Sequence, residues 1–86
     1  MPRATEPVSE TVAEFGLRAR ARRHELGLSQ EGLAERSGVH WTYVSQLERG
    51  QNNPSLHNIV RLARGLGVEP GVLLDGLPQP PEVSER

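Results

Sequence analysis

Between residues 11 and 77 the apolar positions recur at helical rather than alternating spacing, and the pattern predicts five helices and no strand. Thr11 with Glu14 three residues later has the form of a capping box, so it is expected to open the first helix. That helix runs to about Leu26 on a thin apolar stripe of Phe15, Ala19 and Leu26, and Gly27 ends it. Ser29 is expected to cap a short second helix near residues 30–36, with Leu33 and Ala34 turned inward. Ser37-Gly38-Val39 then makes a tight turn, for which Gly38 can supply a positive φ. In a third helix, about residues 41–49, Val44 and Leu47 share one face while Thr42, Ser45, Gln46 and Arg49 point broadly the other way, at about 100° per residue. Gly50 stops it, and Gln51-Asn52-Asn53-Pro54 reads as a turn. Ser55 caps a fourth helix, whose Leu56, Ile59, Leu62, Ala63 and Leu66 form its apolar stripe before Gly67. Pro70 suits the first turn of a short fifth helix carrying Val72, Leu73 and Leu74. Residues 1–10 and 78–86, rich in Pro and Glu, read as flexible tails on either side of this single domain.

Composition narrows the function classes. There is no run of about 18 apolar residues and no leader-like segment, so a cytoplasmic protein with no membrane association is expected. With no cysteine, disulfides and thiolate metal sites are excluded. His24, His40 and His57 do not converge at metal spacing, no cofactor is implied, and no nucleophile–base–orienter set suggests catalysis. The net charge of −1 conceals an uneven distribution. Residues 15–64 carry eight Arg against four Glu, whereas both ends are acidic. Since local potential governs phosphate attraction, the near-neutral sum is compatible with nucleic acid.

Two short helices joined by a three-residue glycine turn, on a basic segment, describe a helix-turn-helix. The run LSQEGLAERSGVHWTYVSQLERGQNNPSLHNIVRLARGLGV resembles the Cro and lambda-repressor (xenobiotic-response-element) class. Within that class it leans toward the controller proteins of restriction–modification systems, and the resemblance covers about residues 15–77. It implies an all-α, five-helix, lambda-repressor-like domain that regulates transcription from a double-stranded DNA operator as a homodimer, without a small-molecule ligand. By the same resemblance, Gln30 meets a phosphate and buttresses the third helix. Trp41, Thr42 and Gln46 reach base edges, and Tyr43, Asn52 and Asn53 contact the DNA backbone. Arg23 and Glu48 match a buried ion pair, and Val72, Leu73 and Leu77 a dimer interface. Trp41 and Asn52 stand where a more polar residue and a cation are frequent, which alters the sequence that would be read.

Each residue also has a plainer role. Trp41 is either a base-facing aromatic or a flank packing on Gln30 or a partner, and Tyr43 either a phosphate contact or a partly buried surface aromatic. Ser45 and Arg49 lie on the groove-facing side, where Arg49 equally suits the negative end of its helix. The arginines at 18, 20, 22 and 23 read mostly as a solvated face. Gln46 suits adenine and Thr42 a thymine methyl. The competing function is a protein-interaction module, an antitoxin or adaptor, although a protein-binding face would favour aliphatic or aromatic anchors over Gln30, Thr42 and Gln46.

Overall fold

Side-chain caps decide where most of the helices begin. In the computed structural model, which describes residues 6–79, the elements are α1 (Glu10–Glu25), α2 (Gln30–Ser37), α3 (Trp41–Glu48), α4 (Leu56–Leu66) and α5 (Pro70–Leu74). Every regular element among the described residues is therefore a helix, as expected from the periodicity. Ser29 Oγ accepts from the Gly32 amide, and Ser55 Oγ accepts from that of Asn58, satisfying donors left over at each helix start. Residues 1–5 and 80–86, expected as parts of the tails, lie outside the described residues.

The start of α1 corrects the expected capping box. Ser9, not Thr11, is the cap, with its Oγ accepting from the Val12 amide at 3.2 Å. The cause is tertiary: the Val8 amide donates to the Gly50 carbonyl at 2.7 Å, which ties the chain down just before Ser9. Thr11 is then already helical, and its hydroxyl donates to the Pro78 carbonyl at 2.7 Å, joining the first helix to the segment after the last.

One core holds the helices together. Phe15 and Ala19 of α1, Leu33 and Ala34 of α2, Val44 and Leu47 of α3, and Leu62, Ala63 and Leu66 of α4 are all buried, joined by Leu73 of α5. α2 packs on α3 and α4, while α1 packs on α3, α4 and α5. Such burial contributes about 1.5–3 kcal/mol per large aliphatic side chain, before entropy. The stripe of α4 meets this core only from Ile59 onward: Leu56, expected on it, is 71% exposed in the first turn. α1 and α3 approach so closely that a methyl group at Gly16 would overlap the Leu47 carbonyl oxygen, a backbone atom with little room to yield.

The arginines of α1 are not a solvated face. Arg18 bonds Glu14 and donates to the carbonyls of Leu73 and Asp75, while Arg22 donates to the Leu66 carbonyl at 2.9 Å. Cations thus sit on unsatisfied carbonyls at the negative ends of α5 and α4. With Arg23 buried as well, Arg20 is the member of this group that stays exposed.

Candidate nucleic-acid interface

The site is built from α2, the turn and α3. Gly38 closes α2 in the left-handed conformation at φ 73°, so the chain reverses within one residue and His40 can cap α3 in extended geometry. The His40 Nδ1 accepts from the Thr42 amide at 3.1 Å and lies 2.8 Å from the Thr42 hydroxyl. Its ring stacks beside that of Trp41, with centroids 6.1 Å apart. Nothing in the sequence signalled that His40 would hold the Thr42 side chain.

The inner face of α3 is anchored twice. Val44 and Leu47 enter the core, and Glu48 meets Arg23 in a bidentate pair, Nε to Oε2 at 2.7 Å and Nη2 to Oε1 at 2.9 Å. Arg23 donates further to the Leu28 carbonyl, and Gln30 Nε2 donates to Glu48 Oε1 at 3.1 Å. A single carboxylate therefore links α1, the start of α2 and the end of α3. The hydrogen bond that Arg23 donates to Glu48, opposed by burial and reinforced by the carboxylate's charge, holds the guanidinium pKa above its ordinary value. Arg23 contributes a fixed charge to the pair at any ordinary pH.

The outer face is polar and open. Thr42, Gln46 and Arg49 are exposed, Trp41 is 46% exposed, and with half-buried Ser45 they share a shallow concavity. Arg49 bonds the Ser45 hydroxyl and the Gln51 side chain. Asn52 Nδ2 donates to Gln46 Oε1 at 2.6 Å, and Asn53 is exposed beside it in the loop.

Two expected site residues lie elsewhere. Tyr43, read either as a phosphate contact or as a partly buried aromatic, packs against the core with its hydroxyl buried and unpartnered, as in the second reading, because residue 43 faces the same side of α3 as the core positions. Leu73, expected in a dimer interface, is 1% exposed and completes the core of its own chain. Val72, by contrast, is 58% exposed, and half-buried Leu77 lines an apolar hollow with Val12, Phe15, Ile59 and Leu74. Leu56 and Val60 of α4 are exposed as well.

A family profile described as helix-turn-helix matches residues 19–73, from mid-α1 to α5. The control protein C.BamHI of Bacillus amyloliquefaciens is 45% identical over 62 residues, 71% of this chain and 76% of that protein. The restriction–modification controller protein C.AhdI from Aeromonas hydrophila is similar in structure, with a TM-score of 0.71 and 50% identity over 72% of this chain and 94% of that one. The DNA-binding domain of the P22 C2 repressor also has a TM-score of 0.71, at 35% identity over 76% of this chain and 86% of that chain. The match spans the glycine turn, the buried face of α3 and the open polar face opposite it, and the chain belongs to the helix-turn-helix family.

Proposed function

We propose that this protein is a sequence-specific transcriptional regulator that binds a pseudo-palindromic DNA operator as a homodimer, with α3 in the major groove. The observation that carries this reading is the division of α3: one face is locked by Val44, Leu47 and Glu48, and the other offers Thr42, Gln46 and Arg49 without an aliphatic anchor. A protein-binding face would be built from apolar residues, and Trp41 is the single such feature here. In this role Thr42, Gln46 and Trp41 meet base edges, Ser45 and Arg49 flank them, and Gln30 and Asn53 meet phosphates. Its likeness to a control protein and to a restriction–modification controller protein supports a role in regulation.

Binding-site selection tests the reading head. Gln46→Ala is expected to cost about 1–3 kcal/mol at the operator and to relax preference at one base pair per half-site. Asn53→Ala is expected to weaken all sequences about equally, because phosphates carry no direct sequence information. An unchanged consensus and stringency for Gln46→Ala would remove Gln46 from the reading head.

One domain of this size offers too few base contacts for genomic specificity, which supports a dimer with recognition helices about 34–36 Å apart. Exposed Val72 and half-buried Leu77 are the residues of the α5 region through which it would form. The variant carrying Val72→Asp and Leu77→Asp is expected to keep its helicity and to sediment as a monomer. Dimers persisting in that variant would place the interface elsewhere.

A further inference from the structure

The loop after α3 does more than connect two helices. Gly50, at φ 74°, closes α3 with two paired backbone bonds: its amide donates to the Leu47 carbonyl, and the Gln51 amide reaches back to the Gln46 carbonyl at 2.9 Å. This is the Schellman arrangement, and it folds the chain back over the last turn. Asn52 is thereby delivered beside Gln46, where the two side-chain amides meet at 2.6 Å. Asn52 is half-buried, so its position is held by the loop, whereas Gln46 is exposed on the face proposed to enter the groove.

A glutamine amide has a donor end and an acceptor end, and the base it prefers depends on which end faces the groove. Adenine presents an acceptor at N7 and a donor at N6, so it suits a glutamine that both donates and accepts. Guanine presents two acceptors, N7 and O6, so it suits a donor. Here Oε1 accepts from Asn52, which leaves the Nε2 hydrogens as the end of the amide not engaged by that bond. We infer that Asn52 is a positioning residue, which orients the Gln46 amide so that Gln46 selects guanine over adenine at its base pair. The inference rests on Gln46 being a reading residue. It revises both the phosphate role expected for Asn52 and the adenine expected for Gln46.

The test is binding-site selection on the full-length protein and on Asn52→Ala, Asn52→Asp and Gln46→Ala, with random-duplex affinity and thermal midpoint measured for each. The parent is expected to favour guanine over adenine at one position per half-site by roughly tenfold or more. Asn52→Ala should reduce that ratio to about threefold or less, by freeing the amide to rotate, while leaving random-duplex affinity at the parent value. Asn52→Asp cannot donate and must accept from Nε2, so it turns Oε1 outward. Preference should then move to a base edge with a donor, adenine N6 or cytosine N4. The added negative charge lowers affinity for every duplex, so the readout is the base ratio within the variant. If Asn52→Ala weakens operator and random DNA in equal proportion with the ratio intact, Asn52 is a phosphate contact and the inference fails. An unchanged consensus for Gln46→Ala would overturn the reading head itself, a result separable from any change at Asn52.

Discussion

Raising the salt from 50 to 200 mM should weaken binding to any duplex by about 10³–10⁵-fold, if the dimer makes about 6–10 phosphate contacts. The expectation follows from where the arginines go. The segment 15–64 has eight of them, but Arg18, Arg22 and Arg23 are spent on carbonyls and carboxylates within the fold. Arg20, Arg36, Arg49, Arg61 and Arg64 remain exposed, and a dimer doubles that number. Each phosphate neutralised releases condensed counterions, so the logarithm of affinity falls linearly with the logarithm of salt. Fluorescence anisotropy with operator and with random duplex at several salt concentrations measures the slope for both. Similar steep slopes would locate the salt-sensitive contacts on the backbone, and the offset between the lines would measure base readout. A flat response would favour a protein partner over DNA.

Glu48→Ala should destabilise the domain by about 3–5 kcal/mol, because it leaves Arg23 charged, buried and without its bidentate partner. That is a large part of the about 5–15 kcal/mol that holds a typical domain together, so partial unfolding near 37 °C is expected. The intrinsic basicity of a guanidinium removes the simplest escape, since Arg23 cannot neutralise itself at ordinary pH even without Glu48. The stability linked to the raised Arg23 pKa is fully present below the unfolded-state pKa and is lost only as pH rises through the folded one, far above any ordinary pH. Gln30 would lose its bond to Oε1 in the same variant, so the start of α2 would loosen along with the end of α3. Chemical denaturation of the variant measures the loss. Replacing both members with apolar residues of similar volume, Arg23→Met with Glu48→Leu, is expected to recover much of it, since the cost arises chiefly from the stranded charge. A Glu48→Ala midpoint within experimental error of the parent would mean that Arg23 finds another partner.

Much of this protein was legible before any helix was docked. The serines at 29 and 55, the glycines at 38 and 50, and the apolar period of α2 to α4 act within a few residues of themselves. A residue's own backbone preferences and the 3.6-residue repeat are enough to place such elements. Those local signals were sufficient to identify the helix-turn-helix, the buried face of α3 and the open face opposite it. What they could not supply were partners distant in sequence. Arg18 meets the Leu73 carbonyl 55 residues away, and Arg22 the Leu66 carbonyl 44 residues away. Those contacts turned an expected solvated face into a set of helix-end caps. Leu73 and Val72 are neighbours with equal apolar character, and only docking α5 against α1 and α4 decided which enters the core. The close approach at Gly16 and the burial of the Tyr43 hydroxyl have the same origin. Even the contact between Asn52 and Gln46, six residues apart, required the left-handed turn at Gly50 to fold the loop back. Local propensity determines which helices exist and where they stop, because it acts through each residue's own torsions. Which side chains those helices hold, bury or leave for the groove is decided by packing, because that depends on what arrives from elsewhere in the chain.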